Sequence, residues 1–329
     1  MNDVAPAPAD FVEIPVLDLA RADAGPQAER ALAAELRQAA IDVGFFYVVG
    51  HGVPQNVVDD AFAIAGKFFA WPLERKQTIA VDKLHRGFLS VGGAKMSDKA
   101  KPDLKESFLF GVDLPLSDPD VVAGKPLMGP NQWPADFPDM QIIVDRYATA
   151  VRACGNRILR LFAIALDLPA DYFEPLFAKP LARGSLLYYP PQPPAMGPDQ
   201  FGVSAHTDYG ALTFVCQGEI GGLQVRNRAG EWVEAPPLPG SFVVNIGDLM
   251  ARGTNDRFVS TPHRVVNKSG RERYSIAYFF DPHIDTVIEA IPSCIQTGTP
   301  ARYPRTTCGE HILGRFKDAF AYRKDRLTA

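Results

Sequence analysis

Apolar positions recur along this chain with two different periods, and the change from one to the other divides it. From about Pro26 to Asp42, a stretch rich in Ala, Leu and Glu follows the 3.6-residue repeat of a helix that stops near Gly44. The same period returns from about Pro54 to Phe69, where Val57, Val58, Phe62, Ile64 and Phe68 carry it, and again over about Met140 to Leu166 and Gly309 to Asp325. Between the first two helices, 45-FFYVV-49 is an aromatic and β-branched run closed by Gly50-His51-Gly52, which predicts a strand ending in a turn. A second short strand is predicted at 13-EIPVLDLA-20, whereas residues 84–136, with many Gly, Pro and Asp, predict irregular connection with a strand or two.

Beyond Pro180 the apolar runs become short and β-like: 184-GSLLYYP-190, 211-ALTFVC-216, 222-GLQV-225, 231-EWVEA-235, 241-SFVVNIG-247, 262-PHRVVN-267 and 274-YSIAYFF-280. Turns such as Asn227-Arg228-Ala229-Gly230 and Lys268-Ser269-Gly270 separate them. This texture predicts a sandwich or barrel with Greek-key connections. The chain as a whole reads as α+β with a mainly β core. The expected parts are a flexible tail (1–12), a helix-rich region (13–180), the β core (181–285) and a C-terminal helical segment (286–329).

Composition narrows the function classes. With 329 residues, 47% hydrophobic and 22% charged, the chain can bury a large core. A net charge of −4 and the lack of any Lys/Arg-rich run leave no basic field for a phosphate backbone, so nucleic acid is not an expected partner. The opening MNDVAPAPADF has no basic and apolar leader pattern, and no run of about 18 apolar residues follows. A cytoplasmic, membrane-free monomer acting on a small molecule is the expectation. Cys154, Cys216, Cys294 and Cys308 are sparse and form no CxxC, which points to free thiols.

Candidate chemistry concentrates in 203-VSAHTDYGALTF-214, where His206 and Asp208 stand two apart. On a strand, that spacing would place both side chains on one face. A His-x-Asp triplet is short enough to arise by chance, and 283-HID-285 is another. The two differ downstream. His206 is followed by His263 in 260-STPHRV-265 and then by 273-RYS-275, whereas His283 is followed only by His311 in a helical pattern. Two imidazoles and a carboxylate occupy one face of an octahedral ion and leave three positions open, the arrangement of non-haem Fe(II) oxygenases. Catalytic zinc would leave one position for water and would not account for the arginine. Arg273 and Ser275 share a strand face and together suit a carboxylate, through paired N–H donors and an O–H; an Arg–Asp structural pair is the competing explanation.

With these residues in view, the chain resembles the isopenicillin N synthase-like family of Fe(II)/2-oxoglutarate-dependent dioxygenases. Further segments carry the likeness: 14-IPVLDL-19, 44-GFFYVVGHGVP-54, 68-FFAWPLERK-76, 86-RGF-88, 103-DLKESF-108 and 131-NQWP-134 in the first half, and 188-YYPPQP-193, 205-AHTDYGALTF-214, 221-GGLQV-225, 243-VVNIGDLM-250 and 258-FVSTPHRVVN-267 in the second. The resemblance implies a double-stranded β-helix, or jelly roll, with helices packed on one side. It implies that His206, Asp208 and His263 ligate Fe(II), that Arg273 and Ser275 bind the distal carboxylate of 2-oxoglutarate, that Tyr189 contacts this co-substrate, and that O₂ is consumed. A 2-oxoglutarate-independent oxidase of the same family and an inert metal-binding cupin-like protein are the alternatives. Two departures stand out: Leu187 replaces an Asn frequent in plant relatives, and Gly253 replaces a large aromatic residue, which would leave the pocket or a nearby loop roomier. His51 is expected in a turn, His85 and His311 at the surface or on a helix, Lys105-Glu106 in a solvated pair or the pocket wall, and Gln192 in a stiff diproline loop.

Overall fold

Two faces of the same few strands organise the molecule, one turned to helices and one to an interior cavity. The computed structural model describes residues 10–93, 101–191, 201–296, 298 and 300–319. The tail through residue 9, Gln192 and the helical pattern past Ala319 lie outside the described residues. In chain order the elements are β1 (Val16–Asp18), α1 (Pro26–Asp42), β2 (Phe45–Val49), α2 (Gln55–Phe69), α3 (Leu73–Gln77), β3 (Gly87–Leu89), β4 (Glu106–Gly111), α4 (Pro119–Val122), α5 (Asp139–Ala165) and α6 (Glu174–Phe177). There follow β5 (Arg183–Tyr189), β6 (Val203–His206), β7 (Leu212–Gln217), β8 (Leu223–Arg226), β9 (Trp232–Glu234), β10 (Phe242–Ile246), α7 (Asp248–Gly253), β11 (His263–Val265), β12 (Arg273–Phe280), β13 (Val287–Ile288), β14 (Thr306–Thr307) and α8 (Cys308–Ala319).

The helices end where the local chemistry ends them. Pro26 opens α1 at a position whose N–H has no helical partner to lose, and Gly44, at φ 72°, closes it. A Cβ on Gly44 would also lie 2.2 Å from the Val259 carbonyl oxygen, so the turn into β2 admits only glycine. In α5, Met140, Val144, Tyr147, Val151, Cys154, Ile158 and Phe162 form a buried stripe at helical spacing. This stripe belongs to one apolar cluster with α1, α2 and the outer face of the main sheet, including Phe46, Val48, Phe214, Phe242, Ile276, Tyr278 and Phe280.

The main sheet has eight strands in the order β1-β2-β10-β7-β12-β5-β4-β3, parallel only at β1–β2. The second has four, β6-β11-β8-β9. Together they form the jelly roll. The strands of the N-terminal half, β1 to β4, extend the main sheet at both ends. Because side chains alternate along a strand, Tyr274, Ile276, Tyr278 and Phe280 of β12 face the helices while Arg273, Ser275, Ala277 and Phe279 face the cavity between the sheets. Such a strand, buried on both sides, reads as a nearly continuous apolar run. Helix α8 packs Ile312 and Phe316 against Leu127, Leu181, Leu249 and Ile284. Among the described residues no helix is long and apolar enough to cross a membrane.

Candidate metal and co-substrate site

Strands β6 and β11 pair so that His206 lies directly opposite His263, with ring centroids 4.3 Å apart. Strand β6 stops at His206, so Asp208 does not share its face through strand alternation, as the spacing suggests. It is instead carried into place by the turn that follows, which is braced by the Asp248 N–H donating to the Asp208 carbonyl at 2.8 Å. Gly210 in this turn makes room for Asp281, since a Cβ there would lie 1.8 Å from Asp281 Oδ1. The result brings the Asp208 Oδ1 to 3.7 Å from His206 Nε2 and 3.8 Å from His263 Nε2. Among the described residues this is the one group of three His, Cys, Asp or Glu side chains with ligand atoms within 4.8 Å of one another.

Each ligand atom is oriented by a partner. His206 Nδ1 lies 2.8 Å from the Ser204 carbonyl oxygen and His263 Nδ1 lies 3.2 Å from that of Thr261. A proton on Nδ1 satisfies those carbonyls and leaves the Nε2 lone pairs free for a cation. Asn245 Nδ2 donates to Asp208 Oδ2 at 2.7 Å, which turns Oδ1 toward the histidines. Burial, reinforced by neighbouring His263, pushes the His206 imidazole down to about 3. Burial opposes ionisation of Asp208, but His263 and His206 outweigh it and hold the carboxyl below its ordinary value. The triad thus brings together a carboxylate and two imidazole Nε2 atoms, a donor set for a divalent cation.

The triad opens on a cavity of about 150 Å³ shared by both sheets. A larger open groove of about 980 Å³ beside α2, lined by His51, Gln55 and Glu272, contains no member of the triad. At one end of the cavity Arg273 is 1% exposed and stacks over Tyr189, its cross-strand neighbour, at 4.7 Å. Its Nε donates to the Gly221 carbonyl at 3.0 Å, Nη1 to Ser275 Oγ at 3.1 Å and Nη2 to Gln217 Oε1 at 3.3 Å. Among the described residues no carboxylate pairs with it. Burial lowers the guanidinium's proton affinity, and a buried cation without a counter-charge is costly until an anion arrives.

Leu187 lies opposite Ser275 and lines the cavity, whereas Gly253 ends α7, is absent from the lining, and has open space where a Cβ would stand. His85, expected at the surface, is 6% exposed, lines the cavity and stacks on Phe316 at 4.6 Å. His311 lies on α8, and His51 Nδ1 accepts the Val53 N–H within its turn. Lys105 is a wall residue, paired with buried Asp103 at 3.0 Å, while Glu106 joins Lys76 at 2.6 Å. His283 is elsewhere, 3.3 Å from Asp120. Gln217 and Asn245 escape sequence reasoning: both contacts join distant segments, and neither residue type signals its partner.

Comparison with known proteins matches two family models: residues 14–136 match "non-haem dioxygenase in morphine synthesis N-terminal" and residues 185–282 match the "2OG-Fe(II) oxygenase superfamily". The chain is 36% identical over 311 residues to a 2-oxoglutarate-Fe(II) type oxidoreductase, hxnY, of Emericella nidulans, covering 91% of this chain and 88% of that one. It is 36% identical over 285 residues to homoarginine-6-hydroxylase 2-ODD-233 of Oryza sativa, covering 84% and 86%. Among solved structures, a full-length Neurospora crassa protein in complex with alpha-KG superimposes with a TM-score of 0.83 at 28% identity, covering 92% of this chain and 95% of that one. The same Neurospora crassa protein solved with alpha-KG and thymine gives 0.82, with 28% identity and coverage of 92% and 96%.

Proposed function

This chain belongs to the 2OG-Fe(II) oxygenase superfamily and is a 2-oxoglutarate-dependent Fe(II) dioxygenase, and from that premise we propose how its own residues divide the work. His206, Asp208 and His263 hold Fe(II). Arg273 and Ser275 hold the far carboxylate of 2-oxoglutarate, with Tyr189 beside it. The observation that carries this reading is the buried Arg273, which has neutral hydrogen-bond partners and no counter-charge among the described residues. The donor set fits the metal, since two Nε2 lone pairs and one carboxylate oxygen converge and, among the described residues, no fourth His, Cys, Asp or Glu joins them.

When bound, Fe(II) supplies the O₂ activation that couples oxidative decarboxylation of 2-oxoglutarate, to succinate and CO₂, to hydroxylation or related oxidation of the substrate. The chain's part is positional. Ser204 and Thr261 carbonyls fix which imidazole nitrogen is bare, Asn245 fixes the carboxylate, and the charged fork of Arg273 sets the register of the co-substrate. Leu187, opposite Ser275, offers that co-substrate an apolar wall in place of a polar contact. Apolar walls from Val203, Val215, Leu223 and Val265 keep the site dry.

The substrate is a small molecule, in line with the Neurospora crassa protein solved with thymine and with the relative named homoarginine-6-hydroxylase. The net charge of −4 supports a protein that does not engage nucleic acid, and we propose that it acts as a monomer. The solved complexes with alpha-KG favour this reading over a 2-oxoglutarate-independent oxidase. Turnover across a metabolite panel, followed by succinate and product mass, tests it. Succinate release requiring both Fe(II) and 2-oxoglutarate is expected; substrate oxidation without 2-oxoglutarate and without succinate would overturn it.

A further inference from the structure

The chain contains a second Arg-x-Ser, 183-RGS-185, and the fold sets it in the same cavity as the first. Strands β5 and β12 pair antiparallel with Arg273 opposite Tyr189, Ser275 opposite Leu187, Ala277 opposite Ser185 and Phe279 opposite Arg183. At about 3.3 Å per residue, Ser185 stands roughly 13 Å and Arg183 roughly 20 Å along the sheet from the Arg273 row. A five-carbon diacid with bonds of about 1.5 Å spans on the order of 7 Å. Anchored at Arg273, it does not reach this second pair.

Two donors are left over there. Arg183 Nε and Ser185 Oγ are buried and have no hydrogen-bond partner among the described residues, although both side chains line the cavity. Arg183 is 5% exposed and Ser185 4%. An unpaired buried polar group is destabilising, so its persistence beside a cavity points to a ligand that completes it. The charge of Arg183 is already spoken for: Nη2 donates to Asp281 Oδ2 at 2.6 Å, and Asp281 is held in turn by the Ala211 N–H at 2.7 Å. The cation of Arg315, over Tyr209 at 4.5 Å, is paired too, with Asp248 at 3.4 Å, whereas Lys105 and its partner Asp103 lie at the Arg273 end. Among the described residues, a charged substrate group at this end would lose its hydration and find no free counter-charge. The surrounding walls are aromatic, with Arg183 over Phe316 at 5.0 Å and over Phe279 at 5.2 Å, and Tyr209 edge-on to Phe316.

We propose that Arg183 Nε–H and the Ser185 hydroxyl recognise the substrate, and that they select an uncharged, flat group bearing a hydrogen-bond acceptor such as an amide or ring-carbonyl oxygen. This rests on the reading that places 2-oxoglutarate at Arg273. The test uses a matched set of probes, benzamide, benzoate and benzylammonium, titrated anaerobically against the full chain loaded with Fe(II) and 2-oxoglutarate, with binding read by ligand-observed NMR. Benzamide is expected to bind about an order of magnitude more tightly than either ion. Ser185→Ala and Arg183→Lys, the latter keeping a cation for Asp281, should each weaken benzamide about 2- to 12-fold while leaving 2-oxoglutarate and Fe(II) affinity unchanged. Ser185→Ala should also leave thermal stability equal or higher, because it removes an unsatisfied hydroxyl. Equal or tighter binding of benzoate, no binding of any probe, or a Ser185→Ala protein that melts several degrees lower would each overturn the assignment. Should both variants instead lose 2-oxoglutarate affinity, the co-substrate lies at Arg183 and the underlying reading fails as well.

Discussion

Replacing Arg273 by leucine separates binding from folding in an unusual way. The guanidinium makes three hydrogen bonds to neutral groups and has no carboxylate partner among the described residues, so in the absence of 2-oxoglutarate it is a buried, uncompensated cation. Removing it exchanges those bonds for relief of that desolvation, and the ligand-free variant should melt close to wild type. The co-substrate tells the opposite story. A hydrogen-bonded carboxylate that loses its charged partner forfeits about 1.5–3 kcal/mol, or roughly 10- to 150-fold in affinity. At 2-oxoglutarate concentrations near 100 times the wild-type Kd, ligand stabilises the folded state by about 2.7 kcal/mol. With affinity lowered about 100-fold, the same concentration provides about 0.4 kcal/mol. At about 2 °C per kcal/mol for a chain of this size, a shift of about 5 °C on adding 2-oxoglutarate collapses to about 1 °C. Differential scanning fluorimetry with Fe(II), with and without 2-oxoglutarate under argon, reads both quantities. An undiminished 2-oxoglutarate shift in Arg273→Leu, or loss of Fe(II) binding from a residue that is not a ligand, would refute the reasoning.

His206→Ala and His263→Ala should each fold yet lose most Fe(II), whereas His283→Ala, whose ring meets Asp120 far from the triad, should keep it; anaerobic metal analysis distinguishes them. Asn245→Ala frees the Asp208 carboxylate to rotate and should weaken Fe(II) binding about 10- to 100-fold, measured by anaerobic titration, without removing any ligand. Gly184→Ala would drive a Cβ to 2.0 Å from the Phe110 ring, so about 1–3 kcal/mol of stability should vanish in chemical denaturation; an unchanged midpoint would mean that the two strands part more easily than their packing implies.

Legibility in the sequence follows the range of the interactions. Helix α1 is legible over the residues where it occurs, and α2, α5 and most strands within a residue or two, because each is specified by a local period and a local stop such as Gly44. The pairing of His206 with His263 is approached through their spacing and the arginine downstream. The position of Asp208 is not, since the spacing implies a strand that continues where β6 ends. The partners that aim the site, Asn245 on Asp208, Gln217 on Arg273 and Asp103 on Lys105, depend on which strands become neighbours. The burial of His85 is hidden for a similar reason: it comes from α8, more than two hundred residues away in the chain.

The division of labour on the four adjoining strands β4, β5, β12 and β7 obeys a parity rule. Ser107, Leu109, Arg183, Ser185, Leu187, Tyr189, Thr213, Val215, Arg273, Ser275, Ala277 and Phe279 face the cavity and all bear odd numbers. Phe108, Phe110, Leu186, Phe214, Cys216, Ile276, Tyr278 and Phe280 form the core against the helices and all bear even ones. Chemistry and stability are therefore written in alternate letters of one text. Substitutions at odd positions can retune what the enzyme accepts while the even letters keep the fold, so specificity can drift by point changes. Inserting or deleting a single residue within β5 or β12 would exchange the two alphabets at once, sending arginines into the helix-facing core and tyrosines with Leu186 or Ile276 into the cavity.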